Sequence, residues 1–316
     1  MDINITARII RKLGFKGFLS WMPDNIYLKY VYRDIIGENL NLKKPQGFNE
    51  KLQWLKLYDR NPEYTNMVDK YEAKKYVAKK IGDSYIIPTL GIWDKFEDID
   101  FDNLPNQFVL KCTHDSGGVI ICHDKKDFDI ENARKKINSK LRKNFYYSGR
   151  EWPYKNIKPR IIAEKLMINN SICKSNNVEA QEISQEYNNE LLDYKFMCFD
   201  GKVKCSFVCS ERFSSDGLKV TFFDKDWNIL EFERHYPKSK IQIPKPSKYY
   251  DMIKIAEKLS KGIPFVRVDL YESNEKVYFG ELTFYPGSGF EEFSPKSADI
   301  NLGSWIKLPK KSMYNK

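Results

Sequence analysis

The spacing of apolar positions changes character near residue 83. Over residues 1–21, Ile5, Ile9, Ile10 and Leu13 recur at helical intervals among Arg8, Arg11, Lys12 and Lys16, which predicts a basic amphipathic helix. Such a helix most often docks on a core, and its other use is contact with an anionic membrane face. Residues 49–59 (NEKLQWLKLYD) and 69–81 (DKYEAKKYVAKKI) also read as helices, the second stopped by Gly82. Strand-like runs follow at 107–113 (QFVLKCT) and 118–123 (GVIICH), parted by Asp115-Ser116-Gly117. A helix is expected over about 130–143 with Asp129 as N-cap, then a strand over 159–167 (PRIIAEKLM). Residues 168–190 are rich in Asn, Ser and Gln and read as a long loop or mobile insertion. Runs at 192–199 and 202–209 flank Asp200-Gly201, a two-residue hairpin signal. A helix at about 247–261 precedes a last hairpin of 264–271 and 276–285. There is no internal repeat. The order predicts a mixed α+β protein, helical in front and hairpin-rich behind.

Composition narrows the class. A chain of 316 residues can hold two domains and a sizeable core. No apolar run approaches the roughly 18 residues that a membrane helix needs, and the N-terminal stretch lacks a continuous signal core, so the expected location is cytoplasmic. The net charge is +10, but Lys and Arg are spread along the chain and interleaved with acids. That favours a lysine-rich solvated surface and no nucleic-acid partner. The six cysteines include no C-x-x-C pair and histidines number three, so no zinc-type site is expected. Most cysteines fall in strand-like runs and read as small buried groups with reduced thiols.

Three stretches carry candidate chemistry. In the last hairpin, Arg267 and Asp269 share one face of their strand, and Glu281 and Thr283 share one face of the return strand. With the turn near 273–277, Asp269 lies opposite Glu281. Facing carboxylates repel unless a cation lies between them. Mg²⁺ with phosphates supplies one, and Arg267 neutralising both is the plainer alternative. In FVLKCTHDSGG, Lys111 sits mid-strand among apolar residues, which favours an anion as its partner. Ser116, Gly117 and Gly118 just behind it could bring backbone N–H groups to phosphate oxygens. In RIIAEKLM, Glu164 lies in an apolar strand, where an edge-strand glutamate is the commoner explanation and reading of an adenine amino edge the sharper one.

An Asp-Lys opening a helix, a strand lysine with a glycine loop, a strand glutamate, then R-V-D and a later glutamate form a recognisable order. The chain resembles the ATP-grasp superfamily, and more closely the TupA-like ATP-grasp family, over about residues 45–305. The stretches that carry the resemblance are GFNEKLQWLKLYDRNPEY, VDKYEAKKYVAKKIGDSYIIPTLGIWD, LPNQFVLKCTHDSGG, EWPYKNIKPRIIAEKLM, LDYKFMCFDGKVK and FGELTFYPGSGF. The resemblance implies an ATP-grasp fold in which two α+β subdomains clasp ATP. It implies a mainly helical region over 1–66, a central subdomain over 67–190, a C-terminal subdomain over 191–308 and a basic tail over 309–316. It implies that Lys70 and Lys111, with the loop Ser116, Gly117 and Gly118, meet ATP phosphates, and that Glu164 with the backbone of Lys165 and Leu166 meets adenine. Asp269 and Glu281 would bind magnesium. Thr283 stands where many relatives place an asparagine ligand. Arg267 would steady the γ-phosphate or an acyl phosphate, and Lys195 would contact phosphate or substrate.

The activity so implied is ATP-dependent ligation of a carboxylate to an amine through an acyl phosphate. The expected partners are an amino acid or amine and an anionic glycan or lipid-linked sugar of a cell-surface polysaccharide, with peripheral contact at the inner membrane face. The alternative is a nucleotide-sugar glycosyltransferase of such a pathway, for which D-x-D matches exist at Asp98–Asp100, Asp127–Asp129 and Asp224–Asp226. A protein-kinase reading fits V-L-K but finds no H-R-D or D-F-G. A nucleotide-binding protein without turnover is disfavoured by Lys111, Asp269 and Glu281.

Overall fold

In the computed structural model, residues 3–167, 191–211 and 217–310 are described. The expected insertion at 168–190, the end of the basic tail and Cys173 lie outside them. Five helices open the chain: α1 (Ile3–Phe15), α2 (Asp24–Ile36), α3 (Phe48–Tyr58), α4 (Glu63–Val68) and α5 (Glu72–Ile81). Then come β1 (Thr89–Trp93), β2 (Phe108–Cys112), β3 (Val119–Cys122), α6 (Ile130–Leu141), α7 (Tyr146–Gly149) and β4 (Ile161–Lys165). The strands form an antiparallel sheet in the order β1-β4-β2-β3. The rest comprises β5 (Asp193–Phe199), β6 (Lys202–Ser210), β7 (Lys219–Phe223), β8 (Glu233–Arg234), α8 (Tyr249–Ser260), β9 (Phe265–Ser273), β10 (Lys276–Thr283), β11 (Phe293–Ser294) and α9 (Ser297–Trp305). Here the main sheet runs β10-β9-β5-β6-β7, again antiparallel.

Alternation along the strands decides which faces are buried. Phe108, Leu110 and Cys112 of β2, with Ile161 and Ala163 of β4, share a core with Ala133 and Ile137 of α6. Asp129 caps α6 as expected, its carboxylate accepting from Asn132 N–H at 2.9 Å. The opposite face of this sheet carries Lys111 and Glu164. In the second sheet, Phe196 and Cys198 of β5 and Val266, Val268 and Leu270 of β9 pack with Met252, Ala256 and Leu259 of α8. The opposite face carries Lys195, Arg267 and Asp269. Cys112, Cys122, Cys198 and Cys205 are buried free thiols, as their strand positions predict.

The last hairpin reaches its expected register by an unexpected route. The turn is only Asn274–Glu275, which alone would set Asp269 opposite Gly280. A bulge between Phe279 and Glu281 shifts the pairing by one residue and brings Glu281 opposite Asp269. Gly280 permits it: a Cβ there would stand 2.8 Å from the Tyr271 ring.

One expectation needs correction. The core-docking expectation for the N-terminal helix fails for three of its four apolar residues. Ile10 packs against the core of α2, whereas Ile5, Ile9 and Leu13 are exposed. The P-G-S-G turn after β10 serves packing. Gly287, Ser288 and Gly289 all have left-handed φ, and a Cβ on Gly289 would meet the Gln53 side chain at 2.6 Å and Leu52 Cβ at 2.9 Å.

Candidate active site

The first charge cluster stands on the open face of the β1-β4-β2-β3 sheet. Strand pairing sets Glu164 beside Val109 and Lys111 beside Ile162, so Lys111 and Glu164 are diagonal neighbours on one face. Lys111 Nζ donates to Glu164 Oε2 at 2.6 Å, and Lys74 from α5 donates to Oε1. Lys74 also reaches the Ile87 carbonyl at 2.7 Å. Burial disfavours the Glu164 charge, but Lys111 and Lys74 outweigh it and hold its pKa below the ordinary carboxylate value. Beside this trio Val119 and Ile121 of β3 lie on the same face, about half exposed at 48% and 49%. Cations therefore border an open apolar floor. Past Glu164, the Lys165 N–H is taken by the Pro88 carbonyl at 3.0 Å, and Leu166 lies just beyond the strand, half-buried.

The turn after β2 carries Ser116 and Gly117 exposed and Gly118 half-buried. Gly117 is left-handed at φ +80°, and a Cβ on Gly118 would collide with the Asp115 carboxylate at 2.5 Å. Lys70 joins this turn: its N–H donates to the Thr113 carbonyl at 3.0 Å, and its ammonium donates to the Asp115 carbonyl. Asp69 beside it caps α5, accepting from Tyr71 and Glu72 N–H at 2.9 Å, and takes Arg160 Nη2 at 3.2 Å.

The second cluster stands on β5, β9 and β10. Register places Lys195 against Asp269, and Asp269 against Glu281. Arg267 grips Asp269 with two bonds of 2.6 and 2.7 Å and reaches Glu281 Oε1 at 2.7 Å. Lys195 donates to Asp269 Oδ2 at 2.5 Å and to Asp193. Thr283 Oγ1 donates to Glu281 Oε1 at 3.1 Å. The cation between the facing carboxylates is thus the Arg267 guanidinium. Burial pushes the Asp269 carboxyl up to about 6 against the pull of Arg267 and Lys195, so it remains charged at neutral pH. For Glu281, burial is outweighed by Arg267, Lys195 and Lys70, which hold it at about 2. Lys70, held on the turn after β2, acts on the Glu281 charge, so that turn lies near the second cluster. Lys195 is itself buried with its ammonium held by two carboxylates, so it positions Asp269 rather than reaching out to a phosphate.

Could this cluster hold a divalent cation? Among the described residues no group of three or more His, Cys, Asp or Glu is disposed to bind a metal. Magnesium asks for less, since it binds through one or two carboxylates and completes its shell with water and phosphate oxygens. The Glu281 side chain is ionised and 43% exposed, with the Thr283 hydroxyl beside it. Asp269 Oδ1 accepts one bond, from Arg267 Nε, which leaves a lone pair. These residues fit magnesium.

Sequence reasoning missed several members of the site. Lys74 is four residues after Lys70 on the same helical stretch, a spacing that could have signalled it. Asp193, two positions before Lys195, shares its strand face. Glu151, in E-W-P-Y, is buried and accepts from Ser288 Oγ at 2.5 Å. Its charge and that of Glu281 act on one another, and no local pattern announces that. The D-x-D aspartates, by contrast, are absorbed by their own turns. Asp100 accepts from Asp102 N–H at 3.1 Å, Asp129 caps α6, and Asp224 accepts from Asp226 and Asn228 N–H at 2.8 Å.

Two antiparallel sheets, each with a cluster of basic side chains and carboxylates on the face away from its packed helix, are the arrangement of the ATP-grasp class. A family model of TupA-like ATP-grasp proteins matches residues 50–307, most of the chain, and the chain belongs to that family. A search of curated proteins finds no match. Among solved structures it is similar to D-alanine–D-alanine ligase from Bacillus anthracis complexed with ATP, at 16% identity over 69% of this chain and 55% of that one, with a TM-score of 0.38. It is also similar to the VanG D-Ala:D-Ser ligase from Enterococcus faecalis (11% identity, 76% and 61% covered, TM-score 0.40). A third is the ATP-grasp ligase PsnB complexed with a phosphomimetic variant of its minimal precursor, Mg and ADP (9%, 78% and 61%, TM-score 0.41). The chain spans 55% of the length of the Bacillus anthracis ligase.

Proposed function

We propose that the protein is an ATP-dependent carboxylate–amine ligase that works through an acyl phosphate. The observation that carries this reading is that each sheet bears its own charge cluster, Lys111–Lys74–Glu164 on one and Arg267–Asp269–Glu281 on the other, with Lys70 near enough to act on the Glu281 charge. Val119 and Ile121 offer a flat apolar seat for adenine, with Glu164 and the backbone at Lys165–Leu166 at its edge. Lys111 and Lys70, with the Ser116–Gly118 turn, then face the phosphates. Glu281 and Asp269, helped by Thr283, would hold magnesium, which supplies charge neutralisation at the γ-phosphate. Arg267 would steady that phosphoryl group as it moves. A carboxylate oxygen of the donor attacks the γ-phosphorus and ADP leaves. The amine nitrogen then attacks the acyl carbon, loses its proton, and phosphate departs as the amide forms.

For the carboxylate donor we propose a uronic acid of a cell-surface polysaccharide, joined to an amino acid or amine. The surplus of ten positive charges supports an anionic partner of this kind. An ADP-release assay crossing uronic acid glycans with a panel of amines and amino acids tests the pairing. Calorimetry tests the class: ATP with Mg²⁺ should bind, and UDP-sugar binding in place of ATP would turn the reading to a glycosyltransferase.

Within this reading, Lys111→Ala should weaken ATP binding by roughly tenfold or more, the cost of a lost charge-assisted contact. Lys125 makes a poor control because its ammonium bonds the carbonyls of Asp102 and Leu104 at 3.1 and 2.9 Å. The exposed neighbour Lys126 is the better one, and Lys126→Ala should bind ATP like the unaltered protein. Equal affinities for the two variants, read by calorimetry, would take Lys111 out of the site.

A further inference from the structure

The N-terminal helix is built inside out for a helix that only docks. Its inward face carries small groups, Ala7 and Gly14, with Arg11 between them. A Cβ on Gly14 would stand 2.2 Å from the Tyr27 ring, so α1 lies close on α2 because it has no bulk there. Arg11 Nε pairs with Asp34 at 2.5 Å. Apart from Ile10, which packs inward, the bulky apolar residues point the other way. Ile5, Ile9 and Leu13, four residues apart, form an exposed stripe on the side of α1 away from α2. Further exposed apolar side chains follow it in sequence, Phe15 at the end of α1 and Phe18 and Trp21 beyond it, the last 74% exposed. Exposed apolar surface of this extent marks an interaction site rather than an ordinary solvated face.

Charge identifies the partner. Residues 3–23 contain Arg8, Arg11, Lys12 and Lys16 and no Asp or Glu. Lys12 and Lys16 are exposed, and the Arg8 side chain is 68% exposed at 4.0 Å from Asp34. At 100° per residue, Lys12 and Arg8 flank the Ile5–Ile9–Leu13 stripe on one side. An apolar ridge with a basic border and tryptophan at its end matches the surface of an anionic bilayer: alkyl and indole groups enter the interface while the cations stay at headgroup level. We propose that α1 and the segment through Trp21 form a docking surface for anionic lipid membranes, laying the helix in the plane of the interface. The inference does not rest on the ligase reading.

The test is co-sedimentation of the full chain with vesicles of phosphatidylcholine alone and of phosphatidylcholine mixed with phosphatidylglycerol. The chain should sediment with the mixed vesicles, leave them in high salt, and ignore the neutral ones. Lys12→Gln/Lys16→Gln should weaken the partition by about 30-fold, at roughly fivefold per charge. Ile9→Asp and Trp21→Ala should abolish sedimentation while thermal melting stays put, since both side chains are exposed. Absence of sedimentation, or equal sedimentation with neutral vesicles, overturns the proposal. So does light scattering that shows a dimer which Ile9→Asp converts to monomer, for then a second copy covers the stripe. None of these readouts needs ATP or turnover, so the proposal and the ligase reading fail separately.

Discussion

Glu281→Gln is expected to remove turnover while leaving the fold intact. The change keeps shape and hydrogen-bonding capacity and deletes one charge at a side chain that is 43% exposed. It therefore leaves no buried hole, and its melting temperature should stay within a few degrees of the parent. Loss of a carboxylate that would hold the magnesium neutralising the γ-phosphate should lower kcat by about 10²–10³-fold. Asp269→Asn should cost turnover to a similar degree but also cost stability. Asp269 is fully buried and answers both Arg267 and Lys195. Neutralising it leaves two buried cations short of a partner, a penalty on the order of 3–5 kcal/mol. The acid limb of the rate profile should follow the same residue. Burial raises the Asp269 carboxyl, so it is the first of the two facing carboxylates to take a proton as pH falls, and the loss of its grip on Arg267 and Lys195 should lower kcat. Glu281, held at about 2, is still ionised at that point. A Glu281→Gln enzyme with full turnover would remove this carboxylate from the reaction.

The second large effect is expected far from any exposed surface. Lys56 on α3 is completely buried, and its ammonium donates to Gln53 Oε1 at 2.8 Å and to the carbonyls of Gly149 and Ser288 at 2.7 Å each. The Phe290 ring lies 4.5 Å from it. Burial pulls its pKa down to about 7, and the charge of Glu151 works against that shift. Burial likewise pushes Glu151 up, and the Ser288 hydroxyl donates to it. This knot ties α3 and the end of α7 to the P-G-S-G turn that follows Glu281 and Thr283. Lys56→Met takes the donor from the Gly149 carbonyl and Gln53 Oε1 and the nearby cation from the buried Glu151 carboxyl, so stability should fall by about 3–5 kcal/mol and melting on the order of 10 °C. Activity should fall with it, because the turn then positions β10 less firmly. Lys56→Met/Glu151→Gln should recover part of the loss, as a coupled pair does in a double-mutant cycle. Additive losses in thermal denaturation would show that the two residues act independently.

How much of this could be read from the residues differs from element to element. Long strands with clean alternation declared themselves: β5 and β6 around Asp200-Gly201, and β9 and β10. Their alternation also put Arg267 and Asp269 on one face and Glu281 and Thr283 on another. The pairing of those faces depended on a two-residue turn and a bulge whose effects combine, and sequence suggested only the outcome. Helix α2 and strand β1 went unread. The first buries Tyr27, Leu28, Val31 and Tyr32 in a stretch where aromatic and charged residues blur the period. The second is five residues long with a glycine inside it. At the site, residues within a strand announced themselves by being charged among apolar neighbours, as Lys111 and Glu164 did. Residues that arrive from another element did not. Lys74 and Glu151 reach the site through tertiary packing, and their neighbours in sequence look like any surface run. The N-terminal helix shows the limit most plainly. Its period was legible, but which face turned inward was set by Gly14 against Tyr27, a contact between two helices.

The account rests on attack at the γ-phosphate. Its most direct test is the nucleotide product formed with a uronic acid donor, with hydroxylamine replacing the natural amine. The account predicts ADP and phosphate in step with a hydroxamate, and none of these from Glu281→Gln. Release of AMP and pyrophosphate, or sugar transfer with no ATP consumed, would contradict it.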